Sequence, residues 1–170
     1  MGSISNWTLM LLKPDIVSHP QLLKILINDI TTAGIEISGA SLLRLTPEKA
    51  QKLYGIHKGK FFYPRLVRHV CSGPVIAMRV RGDVRAALGS SKLWPLPVNN
   101  IVENDVNEPS IRQRLSLSDV RNVAHTSDAE FAAKELAIFE PFESPMTLLD
   151  QILSEQIVHK STAQELHMSN

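Results

Sequence analysis

A chain of 170 residues, 44% hydrophobic and 21% charged, has enough length to bury a sizeable core and the composition of one globular domain. Its formal net charge of +1 excludes a broad electrostatic grip on nucleic acid or on an anionic membrane, so any anion site has to be local. The single cysteine, Cys71, excludes an internal disulfide framework and a multi-cysteine zinc site, and suits a reducing compartment.

Taken in order, the chain opens with Met1-Gly2, but Asn6 stands where a myristoylation signal needs Ser or Thr. There is no signal-peptide core, no arginine-rich presequence and no apolar run of membrane-spanning length, so the expected location is cytoplasmic with no membrane partner. Trp7 to Leu12 is a short apolar run that stops at Lys13-Pro14-Asp15, the pattern of a buried strand with Lys13 at its end. Ser18-His19-Pro20-Gln21 has capping-box spacing, and Leu22, Leu23, Leu26, Ile27 and Ile30 share one helical face before Gly34. Ile35, Ile37, Gly39, Ser41 and Leu43 alternate against Glu36, Ser38, Ala40 and Leu42 as a second strand. Thr46-Pro47 begins a helix through Tyr54, and a third helix is expected from Phe62 to Val70.

After the Ser72-Gly73-Pro74 turn, Val75 to Val80 reads as a third strand closed by Gly82, and Asp83 to Leu88 as one or two helical turns bearing Arg85. Gly89 opens a proline-containing loop to about Ser110, a length that in a compact domain points to function, mobility or an interface. Asp119 to Asp128 reads as a short strand running out at His125, with Ser127 or Asp128 capping a helix from about Ala129 to Ile138. This puts an imidazole at a strand end beside a helix N-terminus, where free N–H groups favour a phosphate. From Ser144-Pro145 on, Leu148, Leu149, Ile152, Leu153 and Ile157 mark a further amphipathic helix, expected to pack on its own domain, and His159 to Asn170 is expected to fray. Stripped of insertions, the order is the split βαβ of a ferredoxin-like α+β fold, with the helices of that unit on one face. The whole is a βαββαβ four-stranded antiparallel sheet with helices on its faces and a long inserted loop before the last strand.

Four stretches, in this order, resemble the nucleoside diphosphate kinase family: Thr8 to Asp15; Phe62 with Leu66-Val67 and Ser72-Gly73-Pro74; Ile111-Arg112; and Arg121-Asn122-Val123-Ala124-His125-Thr126-Ser127-Asp128. The last of these with Lys-Pro-Asp is highly specific, and the similarity covers roughly residues 6 to 142. Phe61-Phe62-Tyr63 and the loop prolines look most like the divergent group that includes the sixth human type. The division expected is a kinase-like domain over residues 1–143 and a C-terminal helical extension with a tail over 144–170. In that divergent group mitochondria are an alternative location.

The resemblance implies transfer of the γ-phosphate of a nucleoside triphosphate to a nucleoside diphosphate through a phosphohistidine at His125. Imidazole, with an unperturbed pKa near ~6.5, is available unprotonated at neutral pH without a separate base. The covalent intermediate lets one site serve donor and acceptor in turn. Glu135 matches the family's acidic partner of the far ring nitrogen, with Ser127 helping to place it. Lys13, Arg85 and Arg112 would neutralise phosphate oxygens, the guanidiniums with bidentate geometry. Tyr54, Ser91 and Asn122 would hydrogen-bond phosphate or ribose, and Phe62 and Leu66 would sandwich the base with little preference among bases. Mg²⁺ would ride on the phosphates with few protein ligands, and none is expected from the chain. The implied partners are nucleoside di- and triphosphates, with a homo-oligomer possible. There is no Gly-x-x-x-x-Gly-Lys-Ser/Thr loop.

Taken singly, each of these side chains has a structural explanation, the aromatics as core and the cations as solvated surface. The family's glycine after the histidine is replaced by Thr126, which narrows the allowed backbone and adds bulk. This substitution, the long loop and the C-terminal helix support the alternative of a weakly active or inactive kinase-like nucleotide-binding or interaction protein. An RNA-binding ferredoxin-like domain would need an aromatic sheet face and a basic surface, and the sequence has neither, so no sequence-specific nucleic acid is expected.

Overall fold

Strand β1 (Trp7–Leu12) organises the molecule, because Leu9, Met10, Leu11 and Leu12 are all fully buried and alternate between the two faces of a sheet. A strand buried on both sides takes a central place. In the computed structural model, which describes residues 7–88 and 123–154, β1 lies between β3 (Pro74–Arg81) and β4 (Ala124–Thr126). β2 (Glu36–Arg44) completes a four-stranded sheet of order β2-β3-β1-β4 in which every pair is antiparallel. This is the order of a ferredoxin-like sheet.

One face carries α1 (Pro14–Val17), α2 (Pro20–Thr32), α5 (Val84–Leu88) and α7 (Pro145–Leu153), closing over Met10, Leu12, Ala40, Ile76 and Met78. The other carries α3 (Pro47–Leu53), α4 (Tyr63–Val70) and α6 (Ala132–Phe139), closing over Leu9, Leu11, Val75 and Ala77. The helices of the split unit therefore share one face, and the inserted pair and α6 cover the other. Each fully buried Leu or Ile in these two cores contributes roughly 1.5–3 kcal/mol. Among the described residues no helix is long and apolar enough to cross a membrane.

The local chemistry explains most boundaries and corrects some. Thr46 caps α3 as expected, its Oγ1 accepting from Lys49 N–H at 3.3 Å. The capping box at Ser18 does not form: His19 holds the N-cap position without a side-chain bond, and Pro20 at the first helical position supplies the fixed φ and needs no N–H partner. At the other end Gly34, at φ +86°, donates to Thr31 and Ile35 donates to Ile30, the paired bonds of a Schellman stop. The strict alternation expected of β2 is broken by a bulge between Ile37 and Gly39. Past it the parity changes, so Ile37, Ala40 and Leu42 face one core and Leu43 the other. Gly39 is required there because a Cβ would come within 2.5 Å of Phe142 Cβ. The segment after α6 crosses β2 at this point, with Ala40 N–H donating to Glu143 O and Glu143 N–H to Ser41 Oγ, both at 3.0 Å.

α7 packs back on the domain through Leu148 and Ile152, with Ser144 at its N-cap position but making no side-chain bond. The helix expected from about Ala129 begins instead at Ala132, after a turn closed by Phe131 N–H to Asp128 O. Neither Ser127 nor Asp128 holds the N-cap position, which falls to Phe131; Ser127 N–H donates to Leu9 O at 3.1 Å, which prolongs the β1–β4 pairing. The loop from Gly89 to Ser110, the strand residues 119–122 and the tail from His159 lie outside the described residues.

Candidate active site

The site grows from the C-terminal end of β1. Leu11 faces His125 and Leu12 faces Ala124, and the ladder runs one step further where Lys13 N–H donates to Val123 O at 2.9 Å. The Lys-Pro-Asp turn is thereby fixed against the strand that carries the histidine. Lys13 is 3% exposed, a burial that a lysine tolerates only where polar groups surround its ammonium.

His125 sits in β4 with its side chain 17% exposed, and its Nε2 lies 2.6 Å from Glu135 Oε1, whose side chain is 11% exposed. Glu135 is the fourth residue of α6, so the late start of that helix brings the carboxylate, in its first turn, against the ring. A carboxylate on Nε2 favours the tautomer with hydrogen on that nitrogen and leaves Nδ1 with its lone pair. The ring of Tyr54, which is 2% exposed, meets the imidazole edge-on at 5.1 Å between centroids and 81° between planes. Strand pairing, carboxylate and aromatic wall together leave the imidazole one orientation.

Thr126 lies opposite Met10 in extended strand, where a β-branched residue is at home; the positive φ falls three residues earlier, at Val123. Val123 is fully buried at φ +83°, a conformation that costs a β-branched residue about 1–3 kcal/mol and persists only where its surroundings hold it. They do: besides the Lys13 bond to its carbonyl, its N–H donates to Asp15 Oδ2 at 3.0 Å.

Phe62 and Leu66 stand at the start and middle of α4. Leu66 is buried in the second core, and Phe62 is half-buried, edge-on to the exposed Phe61 at 5.5 Å and with Lys60 Nζ 5.8 Å from its ring centre. Ser127 is also buried, but its Oγ has no hydrogen-bond partner among the described residues, so it makes no bond to Glu135 or His125. The side chain of Arg85 and residues Ser91, Arg112 and Asn122 lie outside the described residues.

Two further histidines, which the sequence leaves as background, belong to this region. His57, on the 3₁₀ turn Gly55–His57, lies between Tyr54 and Phe62, with ring centroids 6.4 and 5.4 Å away. Burial lowers its pKa from the ordinary 6.5, and the charges of Lys60, His125 and Lys13 add to the effect while Glu135 opposes it. Its place three residues after Tyr54 on a turn is the one signal that could have found it. His69 holds Asp15 Oδ1 through Nε2 at 2.9 Å. Burial likewise raises the Cys71 thiol above its usual range.

The family model described as nucleoside diphosphate kinase matches residues 6–144. The chain belongs to the nucleoside diphosphate kinase family. The match takes in all four described strands and ends at residue 144, just before α7 begins. The nucleoside diphosphate kinase of Staphylothermus marinus is 35% identical over 132 residues, 77% of this chain and 89% of that protein. Human nucleoside diphosphate kinase 6 is also 35% identical, over 138 residues, 79% of this chain and 72% of that protein. Among solved structures, a halophilic nucleoside diphosphate kinase from Halobacterium salinarum in complex with CDP superposes with a TM-score of 0.65 at 27% identity, covering 79% of this chain and 87% of that one.

Proposed function

We propose that the chain is an active nucleoside diphosphate kinase that works through a phosphohistidine at His125. The observation that carries this reading is the 2.6 Å contact between His125 Nε2 and Glu135 Oε1, which leaves Nδ1 as the nucleophile. In the first half-reaction the Nδ1 lone pair attacks the γ-phosphorus, the bond from phosphorus to the β–γ bridging oxygen breaks, and nucleoside diphosphate departs. The imidazole gains positive charge as this P–N bond forms, and Glu135 is placed to stabilise it. In the second, a terminal phosphate oxygen of the acceptor attacks the same phosphorus, the P–N bond breaks, and His125 returns to its starting form. One site serves both nucleotides, as covalent catalysis permits.

Lys13, anchored beside Val123, would meet the transferring phosphate, with Arg85 of α5 and, from the stretch between α5 and β4, Ser91, Arg112 and Asn122 completing the cradle. Phe62 would carry the base on its ring, backed by Leu66, and Tyr54 would hold the imidazole from beneath. The CDP complex of the Halobacterium relative supports a nucleotide as the ligand. The donor set at His125 fits an ion brought in by the substrate: Glu135 is engaged by the imidazole, and the cations of Lys60 and Lys13 act on the adjacent His57, so Mg²⁺ would be held by phosphate oxygens and water. When bound there, the ion neutralises phosphate charge. Lys13 and the proposed arginines share that task, while Glu135 is reserved for the ring.

The test is incubation with Mg²⁺ and γ-labelled ATP, scoring acid-labile, alkali-stable label on wild type and on His125→Ala, then chasing with GDP. Label that requires His125 and passes to GDP is the expected result. A chain that binds nucleotide but takes no label would refute the catalytic reading and favour a kinase-like binding protein.

A further inference from the structure

We infer that Asp15 and His69 form a positioning device for the nucleophile, an inference that rests on the kinase reading of His125. Asp15 lies in α1, directly after the Lys-Pro turn, and its side chain is 3% exposed; His69 lies in the last turn of α4 with its side chain 9% exposed. The carboxylate is used on both oxygens. Oδ2 accepts from Val123 N–H at 3.0 Å and Oδ1 meets His69 Nε2 at 2.9 Å. Val123, in turn, is the residue held at φ +83°, two positions before His125.

A buried valine leaves the left-handed region unless both its peptide groups are held. Here both holders come from one turn: Lys13 supplies the N–H that binds the Val123 carbonyl, and Asp15 supplies the oxygen that binds its amide. The turn that carries the phosphate-facing lysine therefore also sets the approach of the chain to the histidine, and the two groups keep their spacing together. His69 makes the arrangement rigid by fixing the carboxylate from a third element. Asp15 and His69 touch no reacting atom; both act through the backbone of Val123, and His69 acts only through Asp15.

The experiment is single-turnover phosphorylation by γ-labelled ATP in the full chain, on wild type, Asp15→Ala, Asp15→Asn, His69→Phe and the Asp15→Ala/His69→Phe double variant, with ADP affinity measured on each. Asp15→Ala is expected to lower the rate at which His125 takes label by about 10- to 100-fold while ADP binding stays near wild type, because misplacement by a fraction of an ångström is felt in the rate. Asp15→Asn, whose amide oxygen still accepts from Val123 N–H, recovers most of the loss. His69→Phe loses less, and the double variant no more than Asp15→Ala alone, since a residue that acts through another is non-additive with it. A wild-type rate in Asp15→Ala, additive losses in the double variant, or failure of the asparagine to rescue would each overturn the inference. Hydrogen exchange at the Val123 amide, followed by NMR in the same proteins, reads the device without activity. It is protected in wild type and released in Asp15→Ala if Asp15 holds it, and equal in both if it does not. A wild-type chain that takes no label removes the kinase reading, and the exchange measurement still decides whether the backbone is held.

Discussion

Removing Glu135 isolates the orienting contact. The His125–Glu135 pair joins side chains that are 17% and 11% exposed across 2.6 Å, so water screens it little. A hydrogen bond to a charged group contributes about 1.5–3 kcal/mol, and each 1.4 kcal/mol is a factor of ten in rate. If the contact is made fully in the transition state, where the imidazole gains positive charge, Glu135→Ala should slow phosphorylation of His125 by roughly 10- to 150-fold. Glu135→Gln keeps an oxygen that accepts from Nε2–H and loses the charge, so its rate should fall between the two. The assay is rapid-quench single turnover with γ-labelled ATP, with ADP affinity as the control, because the carboxylate is aimed at the ring and not at the nucleotide. A Glu135→Ala protein that takes label at the wild-type rate would show that the contact orients nothing, and the assignment of Nδ1 as nucleophile would fall with it.

Two further outcomes test other parts of the structure. The lowered pKa of His57 means that the folded protein resists protonating a group that the unfolded chain protonates at about 6.5. The stability tied to its neutral form is present above that value and is lost as pH falls below it toward the depressed folded pKa. Urea unfolding at acidic and at neutral pH should therefore show wild type losing more stability on acidification than His57→Leu does; equal losses would contradict the assignment. Gly39→Ala should destabilise the fold by about 1–3 kcal/mol, because the new methyl group must displace Phe142 from its place against the β2 bulge. An unchanged urea midpoint would mean that the segment crossing there yields freely.

The elements that sequence reasoning read well are those whose signal is local. Trp7–Leu12 and Pro20–Thr32 declare themselves by an apolar run and a helical stripe, Gly34 marks the end of the second, and Thr46 and Pro47 mark the start of Pro47–Leu53. The features missed depend on contacts distant in sequence. The bulge at Gly39 answers to Phe142, and the strand pairing runs on past His125 because the Leu9 carbonyl takes the Ser127 amide. No pattern reveals Val123 at positive φ, since a β-branched residue is the last expected there and the bonds that hold it come from Asp15 and Lys13. At the site, His125, Glu135, Lys13 and Tyr54 were legible as a set through family resemblance. His57 and His69 were not, because neither lies in a matched motif and each gains its place from packing.

These contacts matter because, among the described residues, β4 is three residues long and pairs only with β1. Three ladder positions could not by themselves hold the nucleophile proposed at His125 to the fraction of an ångström that catalysis demands. The shortage is met beyond both ends of the strand. Before it, Lys13 and Asp15 hold Val123; after it, Leu9 takes the Ser127 N–H and Thr8 Oγ1 donates to Ser127 O at 3.3 Å. All four of these residues belong to β1 or to the turn that follows it, and β1 is the most deeply buried strand of the sheet. The imidazole proposed as the nucleophile thus sits on a short strand that takes its rigidity from the central one, so that its backbone is fixed as if it lay in the core.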